Sequence, residues 1–232
     1  CALLDYESPK ENHVKYCFDL WANQISDFCN EIIQSPVYLV GNSIGGIVSL
    51  KAGEILKETC DGIILIDCAQ RTMDDKRLER KDILMNLLRP VLKTLVSKRF
   101  ISNNLFKRAA NPKIIRQILK QAYPSGQNID DELIEILFRP SQRSQSAEAF
   151  RGFINLFDDY LATDLFNKVK SDIHLIWGEK DPWESLDEAR KWEENYETIK
   201  SLNIIKGAGH CPHDENPKET NDIIIKIIQD TK

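Results

Sequence analysis

At 232 residues, 42% hydrophobic and 29% charged, the chain has the composition of a soluble globular protein with one sizeable core, or a core plus a small inserted domain. No run of about 18 apolar residues occurs, which excludes a membrane-spanning helix; six scattered cysteines (Cys1, Cys17, Cys29, Cys60, Cys68, Cys211) without a Cys-x-x-Cys pair point to reduced thiols. The net charge of −5 conceals an asymmetry, because residues 70–165 carry 17 Lys and Arg against 12 Asp and Glu, whereas the remainder carries 14 against 24.

Residues 1–5 read as the end of a strand and 6–13 as a polar loop. The first residue is Cys1, not methionine, so a fragment or processed product is expected. Phe18, Leu20, Trp21, Ile25, Phe28, Ile32 and Ile33 then recur at helical spacing and stop before Ser35-Pro36. A buried strand is predicted over 37–40, followed by a glycine-flanked serine turn and a helix to about residue 57. A second continuous apolar strand covers 62–67. Apolar strands separated by helices predict a parallel sheet covered on both faces.

The pattern changes after residue 70. Up to about 163 only helical periodicity is found: Leu84, Leu87, Leu88, Val91, Leu92 and Leu95 line one face, and helices are predicted over 112–122, 130–138 and 146–160. A parallel crossover needs only about a dozen residues including its helix, so this stretch is an insertion. Strand 173–177, a helix to about 198, strand 202–205 and a closing helix from Pro217 complete the chain. Three parts follow: a core segment over 1–69, a helical cap over 70–165, and a second core segment over 166–232.

Gly41-Asn42-Ser43-Ile44-Gly45 has the Gly-x-Ser-x-Gly form, which sets a serine on a strained strand-to-helix corner with its hydroxyl above the sheet. A side chain at either flanking glycine is expected to collide with a neighbouring element, and Gly46 to let the helix pack closer. Asn42 is assigned no more than a turn role. Ser43, Asp181 and His210 each follow a predicted strand by a few residues, and in an open parallel sheet such residues gather at the carboxyl edge. A serine needs a base to take its proton as it attacks; His210 is the candidate base, Asp181 the group that orients it, and the Ile44 backbone N–H an oxyanion donor. His213 is a competing base, read instead as a surface or rim residue. His210-x-x-His213-Asp-Glu has no third ligand cluster, so neither metal nor cofactor is expected.

The serine, acid, base order resembles that of the α/β-hydrolase superfamily, from about Cys1 to the end of the chain. Trp177-Gly-Glu-Lys-Asp-Pro-Trp183, the run from Gly209 to Pro217 and the run from Gly41 to Gly46 look like the chloroplast and cyanobacterial branch that includes pheophytinase and chlorophyll dephytylase. The resemblance implies an α/β-hydrolase fold with an inserted helical cap, an acyl-enzyme on Ser43, and a carboxylic ester substrate such as the phytyl ester of chlorophyll-type pigments. It also implies a plastid or a cyanobacterial cytoplasm. The family's second oxyanion donor comes from an early loop often marked His-Gly; no such dipeptide occurs here, so that donor and the first strands are expected upstream of Cys1. An apolar groove is expected around Phe150, Phe153, Leu156 and Phe157, with Trp183 near the site. The basic stretch 71–120, with 14 basic against 4 acidic residues, is expected to meet an anionic membrane surface, and no nucleic-acid partner is expected. Two alternatives share these residues: a carbon–carbon bond hydrolase with the same triad, and a non-catalytic binding protein on a hydrolase scaffold.

Overall fold

A computed structural model describes residues 16–71, 98–143, 145–154, 156 and 159–230. In chain order the elements are α1 (Phe18–Phe28, continued by a π-helical turn over Cys29–Ile33), β1 (Val37–Asn42), α2 (Ile44–Leu56), β2 (Cys60–Ile66), α3 (Arg99–Ala109), α4 (Pro112–Ala122), α5 (Asp131–Phe138), α6 (Ser146–Ile154), β3 (Asp172–Gly178), α7 (Leu186–Asn195), β4 (Ile199–Ile205), α8 (Pro212–Glu215) and α9 (Pro217–Asp230). They cluster into two compact units. One comprises Phe18–Gln70, Lys120–Asn128 and Tyr160–Lys232; the other comprises Cys1–Cys17, Arg71–Leu119 and Ile129–Asp159.

The first unit holds a parallel sheet of order β1-β2-β3-β4, with Asn42 level with Ile66, Ile66 with Ile176, and Gly178 with Ile205. Side chains alternate across a strand, and this alternation divides the core into two layers. Ile63 and Leu65 of β2 join Ile173, Leu175 and Trp177 of β3 on one face, with Phe18 and Ala22 of α1, Ile47 and Leu50 of α2, and Trp192 of α7. Ile64, Ile66 and Ile176 face the other way, onto Ile205, Ala208 and Ile227, with Ile223 and Ile224 of α9 packed against them. Burial on both faces explains the apolar run Ile63–Ile66 of β2 and the apolar residues that flank His174 in β3. Their ends line up, so the residues that follow the strands emerge at one edge.

In the second unit, Phe106 of α3 packs on Phe150 of α6 with ring centroids 5.4 Å apart, and Asp130 caps α5 by accepting from Leu133 N at 2.8 Å. Arg116 of α4 pairs with Asp131.

The largest departures from expectation are these. β4 starts at Ile199, three residues early, because Lys200, Ser201 and Asn203 break its apolar run. The helix before it is confined to Leu186–Asn195. α3 was not expected, since Ser102-Asn103-Asn104 interrupts its apolar spacing. α6 ends at Ile154, where a helix to residue 160 was expected; Leu156, Asp159 and Tyr160 lie outside any helix. The expected strand over 1–5, loop over 6–13 and helix over 84–95 lie outside the described residues.

Candidate active site

The corner after β1 is built by backbone contacts. Ser43 N donates to Ile66 O at 3.0 Å, and Ser43 O accepts from Gly46 N and Ala69 N, both at 3.0 Å. Held on two sides by β2 and its following loop, Ser43 takes φ 55° and ψ −124°, a region that costs a non-glycine residue about 1–3 kcal/mol and persists only where the surroundings impose it. A Cβ on Gly41 would overlap the Gly45 carbonyl and come within 2.6 Å of Ser49 Oγ, and one on Gly46 would lie 2.7 Å from Cys68 Sγ. Both are therefore needed for close approach. Gly45 is a correction: among the described residues a Cβ there meets nothing within 4 Å. At that position the backbone carbonyl, rather than the missing side chain, makes the tight contact. Ile44 opens α2, where the first N–H groups have no acceptor in their own helix.

Asp181 and His210 meet after β3 and β4. Asp181 Oδ2 lies 2.8 Å from His210 Nδ1, with the side chains only 1% and 8% exposed. Asp181 Oδ1 accepts from Trp183 N at 2.8 Å and Glu184 N at 3.1 Å. Burial alone would raise the Asp181 carboxyl, but the hydrogen bond and charge of His210 and the two N–H donors outweigh it and hold the group below the usual carboxylate range. An anion at Asp181 fixes the neutral ring with Nδ1 as donor, which leaves Nε2 as an acceptor for an incoming proton. The Trp183 ring closes one side of the imidazole, with centroids 4.8 Å apart.

Several interactions tie these loops together. Asn42 Nδ2 donates to both Ile66 O (3.1 Å) and His210 O (3.0 Å), so it links the serine corner to the histidine loop, well beyond a turn role. His210 N donates to Ala122 O at 2.9 Å. The segment after Ala122 then grips the turn beyond His210: Tyr123 Oη donates to Asp214 at 2.8 Å, Ser125 N to Glu215 at 3.1 Å, and Asn128 Nδ2 to Asp214 O. Glu215 also accepts from Ser125 Oγ and Gly209 N. Gln70 N donates to Glu184 Oε2 at 2.7 Å, and the Gln70 amide and the Ser185 backbone exchange two further bonds.

Cys211, next to His210, is no rival nucleophile, since burial pushes its thiol up to about 11. His213 lies exposed on α8. Phe150 packs on Phe106 and Phe153 is half-buried, both in the helical unit; Phe157 is outside the described residues. Among the described residues no cluster of metal-ligating side chains occurs.

The residue that sequence reading missed is Asp67. It follows β2, is fully buried, and has φ 41°. Its N–H donates to Ile176 O at 3.0 Å and its Oδ1 accepts from Gly178 N at 2.9 Å. Burial pushes its carboxyl well above the usual range; the Gly178 N–H opposes this, and Asp181 and Glu184 add to it. A carboxyl closing an all-apolar strand was the available signal.

Gly178 marks the tightest approach, because a Cβ there would overlap the Gly209 carbonyl oxygen and sit 2.8 Å from that of Ala208. Gly178→Ala is expected to push the His210 loop off the end of β3. Overpacking of this kind costs typically 1–3 kcal/mol, measurable as a lower denaturant midpoint.

Residues 11–223 match the Alpha/beta hydrolase family. The chain is 27% identical over 225 residues to the chloroplastic pheophytinase of Arabidopsis thaliana, covering 94% of this chain and 46% of that protein. It thus spans about half the length of that relative. Similar solved structures include a serine hydrolase involved in carbazole degradation (TM-score 0.72, 15% identity, 97% of this chain and 76% of that one). A thermophilic esterase from Thermogutta terrifontis matches with TM-score 0.65 and 17% identity over 94% of this chain and 74% of its own. A meta-cleavage product hydrolase from Pseudomonas fluorescens matches with TM-score 0.70 and 14% identity over 97% and 76%. With a parallel sheet whose strand ends carry a strained serine corner, an acid and a histidine, and with 11–223 matched, the chain belongs to the α/β-hydrolase family.

Proposed function

We propose that this chain carries a serine hydrolase centre that cleaves carboxylic esters through an acyl-enzyme. Ser43 attacks the ester carbonyl while His210 Nε2 takes its proton. The tetrahedral intermediate collapses, His210 returns the proton to the leaving alcohol, and water then releases the acid by the same relay in reverse. Asp181 stabilises the imidazolium, and the Ile44 N–H faces the developing oxyanion, a contact worth on the order of 3 kcal/mol of barrier. The observation that carries this reading is the buried Asp181–His210 bond of 2.8 Å, together with a serine held at φ 55° on the corner after β1. Asn42, next to Ser43, holds the His210 carbonyl and supports the same grouping.

Within ester hydrolysis we infer a long, apolar substrate, the phytyl ester of a chlorophyll-type pigment. Similarity to pheophytinase over 94% of the chain supports it. Assays on a short p-nitrophenyl ester, on chlorophyll a and on a ring-cleavage dienone separate the classes. Release of phytol is the expected result; turnover of the dienone alone would instead select carbon–carbon bond hydrolysis.

The basic stretch is proposed to hold the protein on an anionic membrane surface. Lys98 is exposed, and Lys107 and Arg108 lie exposed in the last turn of α3. Each well-placed cation is worth about 1 kcal/mol, so charge reversal at Lys98, Arg99, Lys107 and Arg108 is expected to weaken binding to phosphatidylserine vesicles, read by sedimentation, by at least about 10³-fold. Unchanged sedimentation would remove the proposal.

A further inference from the structure

We propose that Asp67 is a positioning residue for the acid of the triad: its carboxyl keeps a proton and donates it as a hydrogen bond to the Asp181 carboxylate. This rests on the hydrolase reading above, in which Asp181 orients the base, and extends it to a second carboxyl.

The two groups are set against each other by the sheet. Asp67 follows β2 and Asp181 lies three residues beyond the end of β3, and β2 and β3 are adjacent. Asp67 is pinned to β3 at two points, through its N–H on Ile176 O and its Oδ1 on Gly178 N. Gly178, held by the Asp67 carboxyl through its N–H, in turn accepts from Asp181 N at 3.2 Å, so one residue ties the two acids together. Both are buried, at 0% exposure for Asp67 and 1% for the Asp181 side chain. Two carboxylates in such a site cannot both ionise without a large cost, so one proton is retained.

The donors decide where that proton sits. Asp181 accepts from two N–H groups and from the His210 ring, all of which favour its anion. Asp67 has a single backbone donor on Oδ1, and its Oδ2 is a buried oxygen with no hydrogen-bond partner. An orphaned acceptor of this kind is costly. As an O–H it becomes a donor facing an acceptor, and the deficit disappears. Glu184 beyond β3 carries negative charge towards it and favours the proton, while Cys68 and Cys211, thiols that burial keeps protonated, add no charge.

The function follows from the added bond. Without it, Asp181 would hold its full negative charge against the imidazole; with it, that charge is shared with a neutral donor and the carboxylate is locked in the plane that His210 requires. Asn at position 67 reproduces the geometry, with an amide N–H for Asp181 and a carbonyl for Gly178 N. Leu fills the space and offers neither.

The test uses wild type, Asp67→Asn and Asp67→Leu. Infrared spectra at neutral pH are expected to show the carbonyl band of a protonated, buried carboxylic acid in wild type that is missing from Asp67→Asn. Absence of that band in wild type overturns the proposal whether or not the protein is an active hydrolase. Fluorophosphonate labelling of Ser43 is then followed against pH. The acid limb is expected to coincide for wild type and Asp67→Asn and to move to higher pH in Asp67→Leu, where Asp181 bears its full charge. A displacement of the Asp67→Asn limb to lower pH by roughly one unit or more would mean that wild-type Asp67 is ionised, and would also overturn the proposal. Failure of wild-type Ser43 to label, with the infrared band present, would sink the hydrolase reading and leave the carboxyl pair standing.

Discussion

Ser43→Ala is expected to lower kcat on a p-nitrophenyl ester by roughly 10⁶-fold, the scale seen when a serine nucleophile is removed from an intact triad. The size of the effect follows from the division of labour. In the proposed mechanism His210 and Asp181 only manage a proton, and without the Ser43 oxygen there is no covalent intermediate for them to serve. Stability should change little, because the corner is held by backbone bonds to Ile66, Gly46 and Ala69 rather than by the side chain. An unchanged denaturant midpoint with lost turnover is therefore the expected pair of results. Turnover that persists within tenfold would reassign the nucleophile.

Asp181→Asn is expected to lower kcat by about 10⁴-fold, because an amide facing Nδ1 no longer selects the tautomer that leaves Nε2 free to accept. It also carries a pH signature. The Asp181 carboxyl is held below its ordinary value in the fold, by His210 and by the Trp183 and Glu184 N–H groups against the opposing effect of burial. A group depressed in this way contributes stability that is present above its unfolded pKa, near 3.9, and is lost as pH falls below that value. The stability gap between wild type and Asp181→Asn is thus expected to be full at about pH 6 and to shrink towards pH 3. Urea melts at the two pH values measure it. A gap that grows on acidification would contradict the assignment of Asp181 as a stabilised anion.

Much of the architecture was legible because burial on both faces writes itself into sequence. Ile63 to Ile66 are apolar at every position and Ile173 to Trp177 at all but His174, and the residues just after them had to emerge at one edge. Ser43, Asp181 and His210 became candidates because each stands just after such a strand and because the serine lies in a Gly-x-Ser-x-Gly corner. What lay hidden depended on partners far away in the chain. Asn42 reads as a turn residue until its amide is seen between Ile66 and His210, 168 positions on. The Tyr123 and Ser125 contacts with Asp214 and Glu215 bridge about ninety residues, and nothing local in Pro124-Ser125-Gly126 announces them. Asp67 looked like the polar end of a strand; only the approach of β3 shows it as a fully buried carboxyl held by Gly178 N. β4 was shortened for the opposite reason, since the polar side chains of Lys200, Ser201 and Asn203 masked a strand already begun at Ile199.

The serine corner, the acid and the base form a working centre if Ser43 is activated by His210, and a fluorophosphonate probe reads that activation without any assumption about substrate. The folded protein is expected to take up one label, on the peptide containing Ser43, with labelling lost in Ser43→Ala and slowed by at least about 10³-fold in His210→Ala. A folded wild-type protein whose Ser43 stays unlabelled, or one that labels equally fast without His210, would contradict the account.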